Sequence, residues 1–217
     1  MKKFAVLLSG CGVYDGAEIH EATLSLLAIA KQGGSYEIFA PDVQQHHVIN
    51  HITGEEMEET RNVLVESARI ARGRIRDLKQ FNPASFDGLL LPGGFGAAKN
   101  LSTWAFEGAD ASILPEVEEA IRGMHALNKP VGALCISPVI LAKVLGKVQL
   151  TIGDDESTIN AIESLGARHV STTHGEVVVD PGHKLVTTPC YMLNASIVQI
   201  DEGAGKLVAA MIKLMDW

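Results

Sequence analysis

Along this chain, short aliphatic runs bounded by glycine, proline or polar residues alternate with stretches in which apolar side chains recur every three or four positions. That alternation is the pattern of βα units on a mostly parallel sheet, so it predicts an α/β fold. Residues 3–9 (KFAVLLS) are too uniformly apolar for a strand with one wet face, and they run into Gly10 and Gly12 as a buried central strand does when it empties into a loop. Over 18–32 the spacing predicts a helix that buries Ile19, Ala22, Thr23, Leu26, Leu27 and Ala30 and stops at Gly33-Gly34. Residues 36–40 predict a second strand, ended by Pro41. A polar segment up to Gly54, long enough to carry function, then precedes a predicted helix over 58–72.

The second half repeats the pattern. Strands are predicted over 88–91, 130–134 and 148–152, and helices over 115–127, 138–145 and 158–165, the first of these opening on a proline at a first-turn position. Residues 176–180 and 184–188 flank Pro181-Gly182 as a hairpin, and 193–215 predict a closing helix with Gly203 and Gly205 as candidate interruptions. No repeat, biased linker or low-complexity tract divides the 217 residues, which predicts a single domain over 1–217.

Composition narrows the function. Lys plus Arg number 18 against 26 Asp plus Glu, a formal net charge of −8 that repels nucleic acid and anionic membrane surfaces, so neither is expected as a partner. Phe4 to Leu8 is too short for the apolar core of a signal peptide, and no later run approaches a membrane span, which leads to the expectation of a soluble, cytoplasmic protein. Cys11, Cys135 and Cys190 are odd in number and far apart, so any functional cysteine is expected to act as a thiol, outside a disulfide framework or a metal pair.

Three glycine-bearing junctions carry candidate chemistry. Val131-Gly132-Ala133-Leu134-Cys135-Ile136-Ser137-Pro138 puts a cysteine where a buried strand turns into a helix, the position of a nucleophile elbow. There the helix N-terminus would favour thiolate. On position alone a buried structural cysteine is equally open. Leu91-Pro92-Gly93-Gly94-Phe95-Gly96 offers an anion or oxyanion nest, or simply a tight turn. Gly10-Cys11-Gly12-Val13-Tyr14-Asp15 matches a dinucleotide fingerprint only in part, because Asp15 stands where a pyrophosphate would lie. Glu18 opens a helix, where a negative charge is favourable in itself. His47 and His51 are four apart with His46 adjacent, but their segment lacks a helical pattern and reads as solvent-facing loop rather than as a metal site. Cys11 and Cys190 follow strand ends without elbow context and read as pocket wall or core.

In a parallel sheet the carboxyl ends of the strands share one edge, so loops bearing Glu18, Gly94 and Cys135 converge. With SGCGVYDG at 9–16, NVLVESARI at 62–70, PGGFGAAKNL at 92–101 and TTP at 187–189, the chain resembles the ElbB group of the PfpI-type, class I glutamine-amidotransferase-like superfamily over nearly its whole length. That group is described as glyoxalases and has been linked to isoprenoid biosynthesis. The resemblance implies a flavodoxin-like three-layer sandwich with Cys135 as nucleophile, Glu18 as the carboxylate bonded to it, and the backbone N–H groups of Gly94 and Ile136 as oxyanion hole. Amidotransferases carry glycine on both sides of the nucleophile and a distant His-x-Glu pair, which is not expected here, and the protease-like members a histidine directly after the nucleophile. Here Ile136 and Ser137 follow Cys135, so neither glutamine hydrolysis nor peptide cleavage is implied.

A thiolate with one carboxylate supports addition to an aldehyde followed by proton transfer between adjacent carbons. The activity expected is a glyoxalase that needs no cofactor, metal or glutathione and turns glyoxal or methylglyoxal into glycolate or lactate, with apparent deglycase activity following from removal of free aldehyde. A homodimer acting on a small dicarbonyl is expected. The alternative is a cysteine-based redox sensor or interaction protein in which Cys135 is oxidised rather than turning over substrate.

Overall fold

The computed structural model describes residues 1–216. Alternate burial along the first strand, β1 (Lys3–Leu7), divides the interior in two: Phe4 and Val6 feed one apolar core, Ala5 and Leu7 the other. The strands that follow are β2 (Ser35–Ala40), β3 (Ile75–Asp77), β4 (Gly88–Leu91), β5 (Val131–Leu134), β6 (Gln149–Leu150), β7 (Arg168–His169), β8 (Val178–Asp180) and β9 (Leu185–Thr188). Seven of them form one sheet in the order β3-β2-β1-β4-β5-β9-β8, parallel throughout except for β8, which runs antiparallel to β9. From β1 the strands β2 and β3 extend one way and β4, β5, β9 and β8 the other, which leaves a topological switch point between β1 and β4.

Helices cover both faces. On one side lie α1 (Ile19–Lys31) and α8 (Ile197–Met215), whose Ile29, Leu207, Val208 and Met211 pack on Phe4, Val6, Leu90 and Val186. On the other lie α5 (Pro115–Ala126) and α6 (Pro138–Leu145), whose Val117, Ile121, Met124 and Ile140 pack on Leu89, Leu91 and Val131. Each such fully buried aliphatic side chain contributes about 1.5–3 kcal/mol relative to exposure. The shorter helices are α2 (Val63–Ile70), α3 (Phe95–Lys99), α4 (Trp104–Glu107) and α7 (Glu156–Ser164). The result is a flavodoxin-like three-layer sandwich, as the alternation and the resemblance led one to expect.

Several expectations need correction. The helix over 58–72 is only α2: Asn62 caps it by accepting the Val65 N–H, and residues 58–60 ahead of it (Glu58, Glu59, Thr60) are polar and exposed, with nothing to bury. Residues 148–152 do not join the main sheet, since β6 pairs with β7 in a separate two-stranded parallel sheet. The closing helix starts at Ile197 behind a Ser196–Gln199 capping box and continues unbroken through Gly203 and Gly205. Gly203 serves packing: a Cβ there would stand 2.9 Å from Thr188 Oγ1. In α1 the buried residues are Glu21, Ala22, Ser25, Ala28 and Ile29, whereas Ile19, Thr23, Leu27 and Ala30 are exposed, so the face predicted to be buried is largely open. Among the described residues no helix is long and apolar enough to cross a membrane.

Candidate active site

Cys135 is the first residue past β5 and takes φ +60°, a left-handed conformation that costs a non-glycine residue about 1–3 kcal/mol. Its surroundings hold it there. The Cys135 N–H donates to Thr188 O across to β9 at 3.0 Å, the Ser137 N–H turns back to Leu134 O, and the buried Ser137 hydroxyl donates to Pro92 O at 2.7 Å. The turn after β4 comes so close that no side chain fits at Gly93, where a Cβ would lie 2.4 Å from Cys135 Cβ and 3.0 Å from its sulfur. Gly94, at φ +94°, aims its N–H at that sulfur, as Ile136 does from the other side. The backbone groups assigned to an oxyanion hole therefore face the thiol.

The carboxyl group that shares a hydrogen bond with Cys135 belongs to Glu21 and not to Glu18. Glu21 is fully buried and accepts the Gly93 N–H at 2.9 Å and the Tyr191 N–H at 3.3 Å. Glu18 sits one turn earlier as the N-cap of α1, its Oε2 accepting the Glu21 N–H at 2.7 Å while its own N–H donates to Gly93 O. The helix N-terminus uses up the first carboxylate, and the second, one turn in, reaches the sulfur. Sequence reasoning missed Glu21 because the face it predicts to be buried, chosen by hydrophobicity, does not include it. The small residues Ala22, Ser25 and Ala28 beside it were the available sign of a close-packed face.

Burial, and after it the negative charge of Glu18, pushes the Glu21 carboxyl up to about 8. The Cys135 thiol is also pushed well up, first by burial and then by the Glu21 charge, against the pull of the Gly94 and Ile136 N–H groups toward thiolate. The low thiol pKa expected at a helix N-terminus is thus corrected: desolvation outweighs the N–H groups. The pair tolerates one negative charge and not two.

The other candidates lie around this centre. Cys190 follows β9 at φ +43°, 4% exposed, and its thiol is raised by burial and by the neighbouring Glu21 and Cys135 charges, so it walls the same site. Cys11 is half-buried on the loop after β1, beside Glu66 and Arg69. The His46 and His47 rings pack on each other and on Phe106. His51 instead accepts the Tyr14 N–H on Nε2 and donates from Nδ1 to Ile49 O, which pins its loop to the one after β1. Asp15 adds to that pin by accepting the Ile49 N–H at 2.7 Å. No group of three or more His, Cys, Asp or Glu among the described residues is placed to hold a metal ion. The chain does contain a His-x-Glu, His174-Gly175-Glu176, but Glu176 accepts the Thr173 N–H and His174 bonds Asn194 O.

No family model matches the chain. It is 46% identical over 222 residues to the glutamine amidotransferase-like class 1 domain-containing protein 3, mitochondrial, of Homo sapiens, a match spanning 98% of this chain and 83% of that one. To the ES1 protein, mitochondrial, of Danio rerio it is 33% identical, over 97% and 85% of the two chains. Among solved structures, an isoprenoid biosynthesis protein with amidotransferase-like domain from Ehrlichia chaffeensis superimposes with a TM-score of 0.90 at 37% identity, over 97% and 99% of the chains. A glyoxalase III from Candida albicans, at TM-score 0.61 and 13% identity over 96% and 97%, shares the fold. These relatives overturn the expectation of a cytoplasmic location, because the human, rat and zebrafish proteins that the chain resembles are all named mitochondrial.

Proposed function

The chain belongs to the glutamine amidotransferase-like class 1 family, with the ES1 proteins among its members, and from that premise and the site we propose that it is a cofactor-independent glyoxalase. The observation that carries the reading is the buried Cys135–Glu21 pair, set against two backbone N–H groups. As the Cys135 sulfur adds to one carbonyl carbon of glyoxal, its proton passes to Glu21, and the new oxyanion takes the Gly94 and Ile136 N–H bonds. Glu21 returns the proton to that oxygen, giving a neutral hemithioacetal and a free carboxylate. The carboxylate then removes the hydrogen from the sulfur-bearing carbon, the hydroxyl proton passes to the neighbouring carbonyl oxygen, and Glu21 delivers the hydrogen to the neighbouring carbon of the resulting enediolate. One carbon is oxidised and its neighbour reduced, so no external electron carrier enters. Water cleaves the resulting thioester, releasing glycolate and restoring the thiol; methylglyoxal would give lactate.

Glu21 suits this work because its pKa, raised to about 8, lies close to neutrality, where a group can both take and give a proton. Glu18 acts through Glu21, fixing its direction and raising its pKa. The test is the full-length chain with glyoxal, followed by proton NMR for glycolate, beside Cys135→Ala. Glycolate formation that disappears in the variant while the fold persists is the expected result. Equal turnover by the variant would remove Cys135 as nucleophile, and absence of glycolate with rapid peroxide oxidation of Cys135 would leave the redox reading in its place.

A further inference from the structure

The open stripe of α1 has a use of its own. Thr23, Leu26, Leu27 and Ala30 follow the i, i+3, i+4, i+7 spacing by which one helix seats another, yet Leu27 is 42% exposed. These four residues form one wall of a groove of about 1130 Å³, with Ile38 and Ile75 as floor and Ile70 at the end of α2 opposite. The groove lies along the second half of α1, away from Glu21 in its first turn. Its rim is basic: Arg72 and Arg74 are exposed, and neither makes an ion pair or side-chain hydrogen bond among the described residues. The third guanidinium, Arg76, is already held by Glu37 and Gln80. Two free guanidiniums beside an apolar helical seam are unusual on a chain whose net charge is −8.

We propose that this groove docks an acidic amphipathic helix of another protein, its apolar side chains laid on Leu26, Leu27 and Ile75 and its carboxylates on Arg72 and Arg74. A concave apolar floor does not fit the plane of a bilayer, and it offers nothing to the polar edges of nucleic acid. A second copy docked groove to groove would bring a second set of the same guanidiniums to the interface. A helix with leucines at i, i+3, i+4 and i+7 and glutamates on its flanks matches both the seam and the rim.

The test uses the full chain and two fluorescein-labelled synthetic helices of that leucine pattern, one flanked by glutamates and the other by lysines, with anisotropy as readout. The glutamate helix is expected to bind at least about tenfold more tightly than the lysine helix, to weaken with added salt, and to lose about tenfold or more in affinity to Arg72→Glu/Arg74→Glu. Leu27→Asp, exposed and far from Cys135, is expected to lose binding while glyoxal turnover stays unchanged. Equal affinity for the two helices, no binding, or undiminished binding by the arginine variant would overturn the proposal. So would a dimer in light scattering that the arginine variant dissolves, or arginine-dependent sedimentation with vesicles of anionic phospholipid.

Discussion

Glu18 and Glu21 are consecutive carboxylates on one helix edge, and the first holds the second in place: Glu18 Oε2 accepts the backbone N–H of Glu21 at 2.7 Å. One acid caps the helix and the other, a turn further in, meets the sulfur. Glu21→Gln is therefore expected to lower kcat by about 10² to 10⁴ with the fold intact, as loss of a general acid–base does. Glu18→Gln, which keeps an acceptor for the cap, should leave kcat within about tenfold of the parent by the same scale. Steady-state glyoxal kinetics on the two variants checks this, and a reversed order would return the proton-transfer role to Glu18.

The pH profile follows from the same pair. Its reactive form carries one proton, and with Glu21 raised to about 8 the pair still holds two at neutral pH. Glyoxal turnover should rise as pH climbs through about 8 and then level off. Because the Glu18 charge contributes to that raised value, Glu18→Gln should move the rise to lower pH. Initial rates across a pH series decide the point, and a profile already flat below neutrality would contradict it.

Stability responds to the same proton with a defined sign. The Glu21 pKa is about 8 in the fold against an ordinary 4.5, so between those values the folded chain holds a proton that the unfolded chain has lost. The associated stabilisation is complete below about pH 4.5 and is lost as pH rises through about 8. The Tm of the parent should fall relative to Glu21→Gln across that window. A constant gap between the two thermal curves would argue that Glu21 titrates normally.

Two glycines give a packing test. A Cβ at Gly93 would lie 2.7 Å from Glu21 Oε2 as well as 2.4 Å from Cys135 Cβ, so Gly93→Ala should abolish turnover and destabilise the fold by about 1–3 kcal/mol. At Gly205, inside α8, nothing lies within 4 Å, and Gly205→Ala should stabilise by about 0.4–1 kcal/mol. Chemical denaturation of both variants is the measurement. A tolerated alanine at Gly93 would mean the turn is looser than its geometry implies.

The central strands and the elbow were legible because continuous aliphatic runs have few other uses, and β4 and α6 occupy the expected residues. The face of α1 was not, because the helix carries two apolar stripes. The more hydrophobic one, with Leu26 and Leu27, lines the open groove, while the stripe of alanine, serine and one glutamate packs inward. Hydrophobicity ranks side chains, but the interior there selects for small size and for a carboxyl with donors waiting at Gly93 and Tyr191. The second strand pair, β6 with β7, was hidden for a related reason: four residues carry no periodicity that distinguishes one sheet from another.

The pairing of β5 with β9 also bears on how the molecule comes into being. Cys135 leans on Thr188 for its strained backbone, and Glu21 takes a donor from Tyr191, so both depend on a segment made some fifty residues after the elbow. A nascent chain emerging from the ribosome amino end first has its thiol and its acid long before it has the strand that orients them. The chemistry is thus withheld until β9 has been made, and a chain halted before β9 is expected to carry the nucleophile without the support that makes it one.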